Sequence, residues 1–333
     1  MNNLNSVSKI QKDRGLTLRI AFTISMLCCV YLFFISLLFW AGINPILIFI
    51  FAIVMVAFQY FGSSKLVLMT TGARIITPQE EPKLHSMIED LSLRANIPKP
   101  KNIAIIDTDT PNAFATGRNP KNAVIAVTRG LLNHLSEKEQ EAVLAHEVSH
   151  IKNKDVMIIT WASLIIIVAG FLMQMLFWMS LFGGFGGRQR QQGGQVFLIM
   201  MAIYIGTIAV YFISQMLILT ISRYREYLAD HGSAEITQNP KHLASALLKI
   251  STHIDKTPEQ KLRKIKHANA FFTVNALKGK GMTTLFASHP PIEKRIDRLN
   301  KLQKEIDTPS KFGGKFTQSI KYSKYTGGKT TNA

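Results

Sequence analysis

Two histidines and a glutamate in the stretch LAHEVSH at residues 144–150 have the types and the spacing of a hydrolytic metal site. His146 and His150 are four residues apart, so on a helix both imidazoles project from one face and can bind a single ion. Glu147 lies between them, at the position where sites of this pattern keep a general base. The pattern arises by chance in roughly one chain in a hundred of this length. A helix with two ordinary surface histidines therefore stays the alternative at this point.

A third metal ligand is expected elsewhere in the chain, because a catalytic zinc ion takes three protein ligands and leaves one position open for water. Glu226 is the candidate, and Asp230 follows one helical turn later on the same face. The Asp230 carboxylate can accept the N–H of a ligating histidine, with His146 as the candidate, which fixes the tautomer of that ring. These residues predict one Zn²⁺ ion per chain.

The elements that must position these residues are mostly apolar. Hydrophobic residues make up 47% of the 333-residue chain, and the mean hydropathy is +0.14. Four runs are nearly free of charge and long enough to cross the roughly 30 Å hydrocarbon core of a bilayer as helices, at 18–40, 42–62, 156–182 and 196–221. Four such runs favour two transmembrane hairpins over buried soluble helices. Since two crossings return the chain to the side it left, the second hairpin brings the HEVSH helix and the Glu226 helix to one surface.

Basic residues near the ends of the spans predict the orientation, because cytoplasmic loops are enriched in Lys and Arg. They collect before the first span, after the second, before the third and after the fourth. The N-terminus, the C-terminus and the metal site are therefore expected at the cytoplasmic face of the cell membrane. The predicted division is 1–17 N-terminus, 18–62 hairpin 1, 63–155 first part of a catalytic domain, 156–221 hairpin 2, 222–307 second part, and 308–333 a basic disordered tail.

The net charge of +18 raises the question of nucleic-acid binding, and the sequence argues against it. The lysines are scattered, and no zinc-finger, RRM or helix-turn-helix pattern accompanies them. A basic surface facing anionic lipid headgroups accounts for the same charge. Cys28 and Cys29, the only cysteines, are adjacent within the first span and cannot form a structural disulfide framework.

Local patterns outside the spans predict a mainly helical domain with a small sheet. A helical period covers 82–95, β-like runs occupy 102–107 and 123–128, and further helices are expected at 240–250 and 291–305. Ser136 and Glu139 form a capping box that starts the helix of the HEVSH motif. The helix of Glu226 is expected to extend the fourth span to near Gly232. The fold class is therefore α+β, an integral membrane protein.

Four motifs, in this order and context, resemble those of the HtpX family of bacterial heat-shock membrane zinc metalloproteases, which are related to the CAAX prenyl proteases. The motifs are NAFATG at 112–117, HEVSH at 146–150, SRYREYLAD at 222–230 and SHPPIEKRI at 288–296, and the resemblance covers about 15–305. It implies a zincin-like catalytic domain of the gluzincin type that cleaves damaged or misfolded membrane proteins, and some unfolded soluble ones, at the cytoplasmic face under stress. Other membrane quality-control proteases are possible partners.

The resemblance also implies roles for individual residues. His146, His150 and Glu226 would bind zinc, Glu147 would be the base, and Asp230 would support a ligand. His289 would lie near the site and help to stabilise the oxyanion, and Arg295 would orient His289 or neighbouring carboxylates. The resemblance further implies an edge strand that pairs with an extended substrate; a plain structural hairpin is the alternative. The residues of this strand are Asn112, Ala113, Phe114, Ala115 and Thr116.

Two other functions are compatible with these residues, and the remaining histidines have simpler explanations. A zinc-binding membrane scaffold or transporter without peptidase action is the main alternative, and transport is disfavoured because the spans hold almost no ionisable residues. A prenyl-protein protease is a further alternative. Five histidines lack partners at ligand spacing and are expected in surface or packing roles, namely His85, His134, His242, His253 and His267.

Overall fold

The computed structural model describes residues 14–40, 45–182, 193–256 and 289–308. The described chain is mostly helical with one small sheet, which confirms the α+β class. The predictions for residues 1–13, for His267 and for the basic tail beyond residue 308 lie outside the described residues.

The membrane-facing helices broadly follow the predicted apolar runs. In the described residues, three helical stretches are long and apolar enough to cross a membrane, at Gly15–Ser36, Asp155–Phe177 and Met201–Thr237. The second predicted run forms a helix bent by 51° between Ile53–Gly62 and Ser64–Thr71, and it adds a fourth span if the two parts are counted as one. Glycine and serine at the break are common causes of such a bend. The helices concerned are α1 (Arg14–Trp40), α2 (Pro45–Thr71), α6 (Asp155–Ala162), α7 (Leu164–Phe182) and α8 (Gly193–Thr237).

The third apolar run is interrupted at Ser163, between α6 and α7. Tyr31 from α1 bridges this break, because its hydroxyl donates to the main-chain oxygen of Trp161 at 3.1 Å and accepts from the N–H of Ile165 at 3.0 Å. Gln59 from α2 donates to Ser163 Oγ at 3.1 Å. Polar groups in an apolar setting need such partners, so the break is joined to both helices of the first hairpin.

Helix α8 runs from the apolar segment into the polar domain without a break. It carries Glu226 and Asp230 and ends at Thr237, beyond the expected position near Gly232. Gly232 is needed for packing instead of for termination, because a Cβ added there would overlap Ser149 Oγ of α5 and lie 2.8 Å from Ser149 Cβ. Ser233 Oγ also donates to the main-chain oxygen of Ala142 at 2.7 Å. The two helices that carry the predicted ligands are therefore in close contact.

The sheet has four strands in the order β1-β2-β4-β3. Strands β2 and β4 are parallel, with Ile103 opposite Ile125, while β3 pairs antiparallel with β4, with Ala115 opposite Ile125. Strand β3 lies at one edge of this order. The strands are β1 (Arg74–Ile76), β2 (Asn102–Ile106), β3 (Ala113–Thr116) and β4 (Val124–Thr128).

The remaining helices pack against the sheet around one hydrophobic core. Residues that precede the third apolar run in the sequence and residues that follow the fourth are buried together in this core, for example Ile125, Leu144, Leu247 and Leu299. Helix α5 begins with the predicted capping box, in which the N–H of Ser136 donates to Glu139 Oε2 at 2.8 Å. The helices are α3 (Pro82–Arg94), α4 (Arg129–His134), α5 (Glu137–Lys152), α9 (Pro240–Lys256) and α10 (Ile292–Asp307).

Candidate metal centre

Helix α5 presents its two histidines towards α8. The four-residue spacing places both rings on one face, with ring centroids 4.7 Å apart. His146 is buried, with 1% of its surface exposed, while the side chain of His150 is 13% exposed at the rim. Glu226 of α8 is buried opposite them. The packing of α5 on α8 therefore brings together residues that are separated in the sequence by two apolar runs.

The three predicted ligands converge on one point. His146 Nε2 lies 3.1 Å from His150 Nε2, and the Glu226 oxygens lie 3.6 Å from His146 Nε2 and 3.5 Å from His150 Nε2. A tetrahedral zinc ion with bonds of about 2.0–2.1 Å separates its ligand atoms by roughly 3.3 Å. The donor set and its spacing therefore fit a single divalent ion of the zinc class.

The outer nitrogen of each histidine faces a carboxylate. His146 Nδ1 is 3.1 Å from Asp230 Oδ1, as the sequence suggested. His150 Nδ1 is 2.5 Å from Asp155 Oδ2. A carboxylate on Nδ1 keeps the proton there and leaves the Nε2 lone pair for a metal, so both rings are oriented as ligands.

The electrostatics of the pocket favour positive charge. Burial by itself lowers the pKa of His146, but hydrogen bonding to Asp230 and Glu226 outweighs burial and raises that pKa to about 9. The negative charge of Asp230 and Glu226 that stabilises a buried imidazolium would also stabilise a metal cation bound at the same place.

Glu147 lies beside the ligands and also contacts the sheet. It is 4% exposed, and burial raises the pKa of its carboxyl. The main-chain N–H of Ala115 in β3 hydrogen-bonds to this carboxyl. A carboxylate with a raised pKa takes up a proton more readily, which suits a group that receives a proton and returns it.

Arg295 lies on the carboxylates of the site. Its side chain is fully buried at 0% exposure, and its Nε and Nη2 donate to Asp230 at 2.9 and 2.6 Å. Nη1 is 3.4 Å from Glu226 Oε2. Burial by itself lowers the pKa of Arg295, but Asp230 outweighs burial and raises it. Arg295 therefore contacts carboxylates, which are one of the two kinds of partner that the sequence left open.

His289 is also at the site, with Nδ1 at 3.1 Å from Glu226 Oε2. It therefore contacts a candidate ligand directly. Asn112 precedes β3 and is 3% exposed, and its main-chain oxygen accepts a 2.9 Å hydrogen bond from the N–H of Thr128. Of the five residues proposed for substrate contact, Ala115 hydrogen-bonds to Glu147 through its main chain.

Asp155 and Arg225 were missed by the sequence reasoning. Asp155 is 1% exposed and lies between His150 and Arg225, with Arg225 Nε at 3.1 Å from its Oδ1. Lys154, in the left-handed conformation with φ 57°, turns the chain so that α6 begins at Asp155. The sequence shows an acidic residue, Asp155, five positions after His150. It does not show the turn at Lys154 that directs the Asp155 side chain back towards His150.

A cleft connects the end of β3 with His150. Its lining includes Ala115, Thr116, Gly117, His150 and Asp155. An extended chain in this cleft would lie next to both the edge strand and the candidate metal ligands.

Comparison with known proteins gives consistent results. The family model described as Peptidase family M48 matches residues 78–303. "Protease HtpX homolog 2" of Methanosarcina acetivorans is 46% identical over 298 residues, covering 90% of this chain and 99% of that protein. "Protease HtpX homolog" of Moorella thermoacetica is 43% identical over 300 residues, covering 90% and 98%.

A solved structure supports the fold. The crystal structure of S. mikatae Ste24p matches with a TM-score of 0.51 at 20% identity. The match covers 86% of this chain and 65% of that chain. At this identity the similarity concerns the fold alone.

Proposed function

The chain belongs to peptidase family M48, and on that premise we propose that His146, His150 and Glu226 hold one zinc ion per chain while Glu147 transfers the proton. It is a membrane-associated zinc metalloprotease, as its family and its HtpX relatives indicate. A non-proteolytic scaffold or transporter is not favoured by this membership. The observation that carries the ligand proposal is that His146, His150 and Glu226, from two helices, bring one ligand atom each to within 4.8 Å of one another.

The bound ion supplies Lewis acidity, which lowers the pKa of water and polarises the substrate carbonyl. Glu147 takes the proton of the attacking water and then gives it to the leaving amine, and its raised pKa suits that exchange. Asp230 and Asp155 hold the imidazoles in the required tautomer. Arg295 orients Asp230 and neutralises part of the carboxylate charge. We assign His289 to stabilising the oxyanion.

We propose that an extended substrate pairs with β3 through main-chain hydrogen bonds, since this strand lies at the edge of the sheet beside Glu147. The strand comprises Ala113, Phe114, Ala115 and Thr116, and Asn112 holds its start against Thr128. The cleft from Thr116 to His150 gives such a chain a path to the site.

The substrates we propose are damaged or misfolded membrane proteins, with some unfolded soluble proteins, cleaved at the cytoplasmic face of the cell membrane. The proximity of the site to the apolar helices supports this proposal, because α6 and α8 both lead from the ligands into apolar segments. We further propose four spans in two hairpins, contact of the basic surface with anionic lipid headgroups, and cooperation with other membrane quality-control proteases.

The test is cleavage of casein and of a model membrane protein by the full chain in detergent. Zinc-loaded parent protein is compared with Glu147→Gln and with Glu137→Gln, an exposed glutamate of the same helix. We expect Glu147→Gln to bind zinc normally and to lose cleavage by a factor of about 10² or more, because general base catalysis contributes about 10²–10⁴. Glu137→Gln should keep activity.

A chelator should abolish cleavage by the parent, and zinc should restore it. If Glu147→Gln binds zinc and cleaves as fast as the parent, the assigned base is wrong. If neither metal nor Glu147 matters, the proposed site is wrong.

A further inference from the structure

A second group of metal-binding side chains lies outside the catalytic site. Among the described residues, Asp109, His134 and His253 bring one ligand atom each to within 4.8 Å of one another. His134 Nε2 is 3.0 Å from Asp109 Oδ1, and His253 Nε2 is 3.8 Å from Asp109 Oδ2. The corresponding separations in the catalytic cluster run from 3.1 to 3.6 Å. The two clusters thus have similar dimensions and share no residue.

The three side chains come from different elements. Asp109 lies in the loop between β2 and β3, His134 ends α4, and His253 is in the last turn of α9. The sequence spacing of the two histidines did not predict that they would meet. In the structure their ring centroids are 4.5 Å apart, with the ring planes tilted by 43°. Two imidazoles directed at one carboxylate are the donor types that a zinc-class ion prefers.

The backbone under Asp109 is held in place. Gly130, at the start of α4, donates its N–H to the main-chain oxygen of Thr108 at 2.9 Å. A Cβ at Gly130 would overlap the main-chain oxygen of Asp109, so only glycine allows the loop to lie this close to α4. This contact presets the distance between Asp109 and His134, which reduces the ordering cost of binding an ion.

The cluster is open to solvent. The side chains of Asp109, His134 and His253 are 77%, 39% and 27% exposed. Three protein ligands would leave the remaining coordination positions to water. An ion there would also link the loop that leads into β3 with α9, which follows the apolar hairpin in sequence.

We propose that Asp109, His134 and His253 form a second binding site for a divalent ion of the zinc class. An ordinary surface ion pair beside two neighbouring histidines would show the same contacts without binding metal, and metal stoichiometry distinguishes the two.

The experiment uses the full chain in detergent, stripped of metal and titrated with Zn²⁺, with bound metal measured by elemental analysis after removal of free ion. The parent should bind two equivalents. His134→Ala/His253→Ala should bind one and should still cleave casein, which shows that the variant is folded. His242→Ala, a histidine of the same helix α9, is the matched control and should bind two.

A second pair of variants separates this site from the catalytic one. His146→Ala/His150→Ala should keep one equivalent, and adding His134→Ala/His253→Ala should remove it. Co²⁺ bound to His146→Ala/His150→Ala should give visible absorption bands that Asp109→Asn alters. The proposal is overturned if the parent binds a single equivalent and His146→Ala/His150→Ala binds none, or if a second equivalent persists without His134 and His253. Either result leaves the catalytic proposal untouched.

Discussion

At the scale of the residue, the carboxylates behind the histidines set the orientation of the rings in the proposed zinc site. Asp155 faces His150 Nδ1 and is itself held by Arg225. Asp230 faces His146 Nδ1 and is held by Arg295. Each imidazole thus belongs to a series of arginine, carboxylate and histidine. The arginine orients the carboxylate, and the carboxylate orients the imidazole ring.

Replacing Asp155 by asparagine should weaken zinc binding without unfolding the protein. Loss of a carboxylate behind a ligand histidine costs about 10–100-fold in metal affinity. The affinity is measured by competition with a chromophoric chelator, and cleavage is measured across a range of free zinc. Excess zinc should restore most of the activity of Asp155→Asn. An affinity equal to that of the parent would show that Asp155 does not orient His150.

At the scale of the element, two helices must approach closely for the ligands to meet. Gly232 of α8 lies against Ser149 of α5, with Ser233 bonded to Ala142 beside it. Because Ser149 is adjacent to His150, a change in this helix spacing shifts Glu226 relative to both histidines.

Gly232→Ala should therefore reduce both stability and zinc affinity. Overpacking of this kind costs about 1–3 kcal/mol, measured as a fall in the thermal unfolding temperature in detergent. Adding Ser149→Gly should recover part of the loss because it removes the overlapping side chain. Gly170→Ala is the control, since its added Cβ would make an ordinary 3.7 Å contact with Tyr211. Zinc binding by Gly232→Ala at the strength of the parent would contradict the proposed role of this contact.

Glu139 joins the start of α5 to α9. It accepts hydrogen bonds from Ser245 Oγ at 2.6 Å and from Lys249 Nζ at 2.8 Å, besides its capping bond with Ser136. Burial alone raises the pKa of Glu139, but the bonds from Lys249, Ser245 and Ser136 outweigh it and lower the pKa to about 2. The ionised carboxylate therefore stabilises the packing of α5 against α9.

The pH dependence follows from that lowered pKa. The stabilisation is complete above the ordinary carboxyl pKa of about 4.3 and is lost as pH falls towards the folded pKa near 2. We expect Glu139→Gln to lower the free energy of unfolding by about 2 kcal/mol at neutral pH. The gap to the parent should shrink below pH of about 4.3, whereas a constant gap at acidic and neutral pH would contradict the assignment. Glu137→Gln serves as the exposed control.

At the scale of the whole molecule, the apolar helices and the polar domain are built as one unit. Buried residues of α1, α7 and α8 form one apolar cluster, which includes Phe34, Leu172 and Val210. Helix α8 continues from this cluster into the core of the polar domain, where Ile236 is buried. The apolar helices therefore help to position the proposed metal centre.

The proposed orientation can be tested by cysteine labelling of intact cells. In a background of Cys28→Ser and Cys29→Ser, we expect Gln191→Cys, in the loop between the third and fourth predicted spans, to react with an impermeant maleimide. Lys138→Cys, on the exposed side of α5, should react only after permeabilisation. Labelling of Lys138→Cys in intact cells would place the catalytic domain outside.

The sequence by itself determined the local properties of this protein. The apolar length of the spans, the capping box at Ser136, the strands around 102–106 and 124–128, and the four-residue spacing of His146 and His150 depend on neighbours in the chain. Ligand number and helical spacing suggested Glu226 and Asp230, and the family motifs added His289 and Arg295. In the structure Glu226 and Asp230 lie beside the imidazole of His146, and His289 and Arg295 contact Glu226.

The tertiary structure alone decided which distant side chains meet. The return of Asp155 to His150, the full burial of Arg295 and the approach of Asp109, His134 and His253 depend on how helices and loops pack. Sequence periodicity reports which face of an element is buried, but it carries no information about the element that covers that face. A metal site built from several elements therefore leaves a spacing signal in the sequence only for those ligands that share one helix.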